Sequence, residues 1–140
     1  MIDIENKVFD TVYNAVTAQH PGCTVLGEYV ETVASFPAVQ ITMTDLEDYR
    51  RTATLNPENH AITTFEINVY SDKQEGAKSE CKSIMATCDD AMHGMNFRRI
   101  MMRRVPAVDR TIYRIYARYE AVVAKGVEIN GDTVFQINRR

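Results

Sequence analysis

Residues 63–70 read Thr63-Thr64-Phe65-Glu66-Ile67-Asn68-Val69-Tyr70, and residues 77–92 read Ala77-Lys78-Ser79-Glu80-Cys81-Lys82-Ser83-Ile84-Met85-Ala86-Thr87-Cys88-Asp89-Asp90-Ala91-Met92. In the first stretch apolar and polar residues alternate, so Phe65, Ile67 and Val69 share one face of a strand and the other face is polar. In the second, Ala77, Cys81, Ile84, Met85, Cys88, Ala91 and Met92 form one apolar stripe at helical spacing. A half-covered strand running into a one-sided helix predicts a helix lying on an antiparallel sheet. Ser71 with Gln74, or Asp72 with Glu75, has the spacing of a capping box at the helix start, and Gly94 stands where a left-handed cap ends such a helix.

The same reading extends in both directions. Towards the N-terminus, Val39, Ile41 and Met43 alternate with Gln40, Thr42 and Thr44, and residues 24–30 form a shorter strand interrupted by Gly27. Ahead of these, Ile4, Val8, Val12 and Val16 recur every four residues, widened by Phe9 and Ala15. Asp3 is placed to cap this first helix, and His20-Pro21-Gly22 stops it. Towards the C-terminus, residues 97–105 are extended up to Pro106. Residues 111–123 then alternate, with Tyr113, Ile115, Ala117, Tyr119, Ala121 and Val123 on one face and Ile112, Arg114, Tyr116, Arg118, Glu120 and Val122 on the other. Residues 127–140 carry an Asn130-Gly131-Asp132 turn between two apolar runs, a small hairpin or an arm.

The expected architecture is therefore α+β: a two-layer sandwich with two helices on one face of a four- or five-stranded, mainly antiparallel sheet, in the order α-β-β-β-α-β-β. Residues 1–124 make one domain and residues 125–140 the C-terminal arm or hairpin. The second sheet face carries Gln40, Thr42, Glu66, Asn68, Arg114, Arg118 and Glu120, and either stays wet or meets another subunit. Residues 45–60 exceed what a hairpin needs, so they either extend the flanking strands or serve a purpose. Asp45, Glu47 and Asp48, followed by Arg50 and Arg51, make this connection a candidate projection.

Composition bounds the function. The 140 residues are 45% hydrophobic and 25% charged, which suits one globular domain and not a disordered chain. The longest strictly apolar run, residues 121–124, is far short of the roughly 20 residues a membrane helix needs. Met1-Ile2-Asp3-Ile4-Glu5 is acidic, unlike a signal peptide. Cys23, Cys81 and Cys88 form no CxxC pair; the last two stand about 10 Å apart along a helix, too far to bridge, so reduced buried thiols are expected. Charge is uneven: residues 3–96 carry 15 acids and 6 bases, whereas residues 97–118 carry seven arginines and one acid. Such a split suits contact between copies or with a polyanion, unless the arginines are solvated and paired within the chain.

No phosphate-binding loop, dinucleotide fingerprint or nucleophile elbow is present, and His20, His60 and His93 lack metal-ligand spacing. Cys88 and His93 fall on different helix faces, and Glu47-Asp48 and Asp89-Asp90 read as solvated acids. The expectation is of no enzyme, no metal and no cofactor. A nucleic-acid-binding α+β domain is a weaker reading, because only Tyr116 shares the face of Arg114 and Arg118 and the net charge is −3. An assembly module fits better, with acidic and basic regions of successive copies in a heterologous contact that closes into a ring. The arm, with Val127, Ile129, Val134, Phe135 and Ile137, has the length to add a strand to a neighbour's sheet.

The element order, together with Phe36-Pro37-Ala38-Val39, the strand at 64–72 leading into the second helix, and Phe97-Arg98-Arg99 leading to Thr111-Ile112-Tyr113-Arg114, resembles the tail-terminator (tail-completion) proteins of long-tailed bacteriophages. Ala117-Arg118-Tyr119-Glu120-Ala121-Val122-Val123 and the final Arg139-Arg140 belong to the same likeness. The resemblance implies a virion protein assembled in the host cytoplasm as a homo-hexameric ring. That ring caps the head-proximal end of the tail tube, stops tube polymerisation and offers the docking surface for the head. Implied partners are the tail tube protein, a head-side connector (stopper, adaptor or collar) and DNA passing through the lumen without sequence recognition; no membrane is involved. Another connector or neck component is the alternative. Subunit or tube contacts are expected at Arg98, Arg99, Arg103, Arg104, Arg114, Arg118, Arg139 and Arg140, and the lumen or axial loop at Asp45, Glu47, Asp48, Arg50 and Arg51.

Overall fold

A computed structural model describes residues 4–27, 35–48, 60–106, 111–129 and 132–139; for residues 48, 60, 125–129, 132–136 and 138–139 only the backbone is described. The chain runs α1 (Glu5–Gln19), β1 (Thr24–Leu26), β2 (Ala38–Asp48), β3 (His60–Ser71), α2 (Ala77–Gly94), β4 (Arg98–Arg104), β5 (Tyr113–Ile129) and β6 (Asp132–Arg139). The expected α+β order is present. The sheet order is β1-β2-β3-β5-β4, with β6 also paired to β5. Every pairing is antiparallel except β1 with β2. β4 and β6 share one side of the long β5: β4 pairs residues 115–120 and β6 pairs residues 121–129.

Alternation decides which side of the sheet is dry. Val39 and Ile41 on β2, Phe65, Ile67 and Val69 on β3, and Ile115, Ala117, Tyr119, Ala121 and Val123 on β5 are all buried against the helices. From α1 come Ile4, Val8, Val12 and Val16, and from α2 Cys81, Ile84, Met85, Cys88 and Met92. Each fully buried aliphatic side chain contributes roughly 1.5–3 kcal/mol from its transfer out of water, so this layer contact is the main stabilising term. Phe97 closes the core edge-on to Phe65, ring centroids 5.5 Å apart. Cys23, Cys81 and Cys88 are free and buried, as expected, and burial pushes the Cys88 thiol up to about 12. Among the described residues no helix is long and apolar enough to cross a membrane.

Helix ends differ from the sequence reading. Ile4 occupies the N-cap position of α1 and makes no side-chain cap; Asp3 lies outside the described residues. At α2 no capping box forms. The helix begins four residues later than the Asp72–Glu75 box would place it, after Gly76 in the left-handed region (φ 86°). Ser71 instead donates to Glu80 Oε1 at 2.7 Å, tying the end of β3 to the first turn of α2. The left-handed C-terminal residue is Asn96 (φ 68°) and not Gly94, which is still helical. Asn96 N–H bonds the His93 carbonyl and Phe97 N–H bonds the Met92 carbonyl, both at 3.0 Å. That is a Schellman closure, with Phe97 packed back on Met92.

The long connection resolves in favour of longer strands. β2 continues to Asp48 across an irregularity between Met43 and Asp45, and β3 starts at His60. Asp45, Glu47 and Asp48 therefore stand on a strand and not in a loop, while Arg50 and Arg51 lie outside the described residues.

Candidate assembly interface

The arginine-rich stretch folds into β4. Pairing with β5 sets its faces: Arg99 opposes Tyr119, Met102 opposes Ala117 and Arg104 opposes Ile115, all on the helix side. Arg98 opposes Glu120, Met101 opposes Arg118 and Arg103 opposes Tyr116, all on the outer side. A register shift between Arg99 and Met101 makes Ile100 the extra residue, which twists an edge strand locally. All seven residues of β4 are exposed, including Ile100 (41%), Met101 (37%) and Met102 (37%). Among the described residues no strand pairs with the outer edge of β4. An edge that shows three large apolar side chains between four arginines is unusual for a surface left to water.

Beside β4, towards α2, lies a groove of about 350 Å³ with Lys82, Asp89, Arg99 and Arg104 around an apolar floor that includes Met85, Tyr113 and Ile115. Arg104 lies over the Tyr113 ring at 4.9 Å. Asp89 is the polar centre of this wall. Its carboxylate accepts from Tyr119 Oη at 2.7 Å and from Arg99 Nη1 at 3.2 Å, and it lies 3.1 Å from His93 Nδ1. Burial and the Asp89 contact raise the Tyr119 phenol well above its ordinary range. The reading of Asp89 as a solvated acid is thus corrected: it is the acceptor that fixes α2 to β5 and orients Arg99. Asp90 is exposed.

The outer sheet face carries the expected polar set, and these side chains hold one another. Tyr70 donates to Gln40 Oε1 at 3.1 Å, Arg114 Nε to Asn68 Oδ1 at 2.9 Å, and Tyr116 to Glu66 Oε1 at 2.5 Å. Arg114 also sits 5.4 Å from the Tyr70 ring centre. Arg118 Nη2 stands 3.9 Å from Asp45 Oδ2, which brings the β2 acids and a β5 arginine to one face. Burial, then the Glu66 hydrogen bond, pushes the Tyr116 phenol up to about 12. Gln40, Thr64 and Asn68 are buried in this layer although the helices lie on the opposite side. Sequence alternation gives no sign of that burial, since it marks these positions only as facing away from the helices.

Two groups of arginines therefore have different surroundings. Arg114 and Arg118 are engaged within the chain's own outer face. Arg98, Arg99, Arg103 and Arg104 line the exposed edge strand. Arg139 is on β6, opposite Ala121 by its backbone, and Arg140 lies outside the described residues. Of the arm residues, Val127 and Ile129 end β5, and Val134, Phe135 and Ile137 are on β6, paired back onto β5. Ile137 is buried in the chain's own core, and its carbonyl accepts from Asn96 Nδ2 at 3.0 Å. Among the described residues no group of three or more His, Cys, Asp or Glu side chains is arranged to hold a metal.

These features define a two-layer α+β fold with an apolar, arginine-bearing edge strand and an acid-bearing strand near the opposite edge. No protein-family model matches the sequence, and no curated protein sequence matches it. The fold is similar to that of a chain from a solved structure described as the virion of a native gene transfer agent particle. The TM-score is 0.67 at 16% identity, covering 84% of this chain and 91% of that one. The likeness thus extends over most of the fold.

Proposed function

We propose that this protein is a structural, non-enzymatic virion component that assembles as a ring, hexameric in the tail-terminator reading, at the head-proximal end of a phage tail tube. The observation that carries the reading is the fold shared, over 84% of this chain, with a chain of a gene transfer agent virion. The sequence likeness to tail terminators and the exposed edge strand β4 point the same way. A terminator needs one ring face that docks on the last tube ring and another that recruits no further tube subunits but receives the head-side connector. DNA must pass the lumen without being gripped, which favours a bore that is not uniformly basic. Arginines committed to subunit contacts, not to the bore, meet that need. The reading calls for no cofactor and no membrane.

Electron microscopy of the purified protein, alone and mixed with tail tubes, tests this. Annular particles that cap one end of the tubes and halt their growth are the expected result. Rings that bind portal-side components but never tubes would move the protein to an adaptor, stopper or collar role. Single globular particles under all conditions would reject the assembly reading.

A further inference from the structure

We infer that successive copies join through their sheets, the β4 edge of one copy taking the open stretch of β2 of the next as an antiparallel neighbour. This rests on the ring reading above and names the contact that builds the ring. β2 is paired to β1 only at Ala38–Gln40, so among the described residues its stretch from Ile41 to Asp48 has no partner on that side. The outer edge of β4 is open in the same sense. These two edges bound the sheet at opposite ends, the geometry of a head-to-tail contact.

Direction and charge both fit. β2 and β5 run one way and β3 and β4 the other. Placing the next β2 beside β4, with the helix layer kept on one side, therefore makes the new pair antiparallel. In that arrangement the C-terminal end of β2 meets the N-terminal end of β4. Register puts Asp45 and Glu47 of β2 on the outer face, opposite Thr64 and Ile62, and puts Arg98 and Arg103 of β4 on the same face. Both acids and both arginines are exposed. Like edges repel: β4 against β4 opposes arginines, and β2 against β2 opposes carboxylates. Only the unlike pairing is attractive, which selects a cyclic contact over a symmetric dimer. Backbone hydrogen bonds along the edges and burial of Ile100 and Met101 supply the adhesion, and the charges supply the choice of partner.

Thr44 and Met101 lie near the middle of the two edges and are exposed. A protein carrying both Thr44→Cys and Met101→Cys, treated with a short bismaleimide, should give a covalent ladder up to the ring size on a denaturing gel. Each single variant alone should give none, and a mixture of the two singles should stop at dimers. Buried Cys23, Cys81 and Cys88 keep the background low. As a second variant, Arg98→Glu should weaken assembly at least tenfold and Glu47→Arg added to it should restore assembly. Rings seen by microscopy with neither ladder nor charge-swap rescue would overturn this contact and leave the ring reading intact. Dimers from a single-cysteine variant would overturn it in favour of a symmetric contact. Absence of rings, alone and with tail tubes, would overturn both.

Discussion

Asn96 shows how one residue closes an element and joins it to another. A left-handed backbone costs an ordinary L-residue roughly 1–2 kcal/mol, and asparagine is among the few that tolerate it. Here the side chain also donates to the Ile137 carbonyl, so the end of α2 is tied to β6. Asn96→Ala should lower stability by about 1–2 kcal/mol in urea unfolding, losing both the tolerance and the bond. Asn96→Gly keeps the backbone freedom and should cost less; an alanine variant as stable as the parent would show that the left-handed turn contributes nothing. The sequence favours Gly94 for this turn because glycine is the default residue for positive φ. The competing signal was Phe97, whose burial needs two more residues of turn before the strand.

The thiols act at the same scale. Burial raises Cys23 to about 11, and Cys81 and Cys88 to about 12, from about 9 when exposed. A raised thiol pKa means the folded state holds its proton more tightly than the unfolded chain. That contribution is complete below pH 9 and is lost as pH climbs through 11 to 12. Thermal midpoints should be flat from pH 7 to 8.5 and fall above pH 9, a trend that a constant midpoint to pH 11 would contradict.

At the level of elements, the sheet and helices were legible because one face of each is dry. The 2.0 and 3.6 periods marked β2, β3, β5, α1 and α2 from their side chains alone. Met85 is 1% exposed at the centre of the α2 stripe. Met85→Asp should bury an unpaired charge at a cost of at least about 3 kcal/mol, lowering the melting midpoint by roughly 10 °C or more. An unchanged midpoint would mean that this side of α2 does not face the sheet. β4 was legible as extended but not as an edge. Its neighbours are decided by which strand lies beside β5, and that is a matter of long-range register that local pattern does not encode. The acid cluster is hidden from pattern reading for a related reason: Thr44 is the extra residue at the irregularity in β2, so the polar Asp45 follows it directly and the simple alternation ends there.

For the whole molecule, the uneven charge along the sequence becomes a division in space. The acids of β2 and the arginines of β4 end up towards opposite edges of one sheet, with Arg114 and Arg118 held between them by Asn68 and Asp45. That layout was not readable from charge counts, since a folded chain can equally fold its acids onto its arginines. The Asp89–Arg99 contact shows that this happens in part. In the ring proposed above this division has a use, since unlike edges would then meet between copies.

Contacts of this kind are screened by salt, since the Debye length shrinks from about 10 Å at 0.1 M to about 3 Å at 1 M. Native mass spectrometry from dilute volatile salt, paired with sedimentation velocity across increasing sodium chloride, reads stoichiometry and salt response together. The expected result is a single closed oligomer, six copies in the terminator reading, that loosens towards monomer as salt rises. A monomer at every protein and salt concentration, with tail tubes present as well as absent, would contradict it.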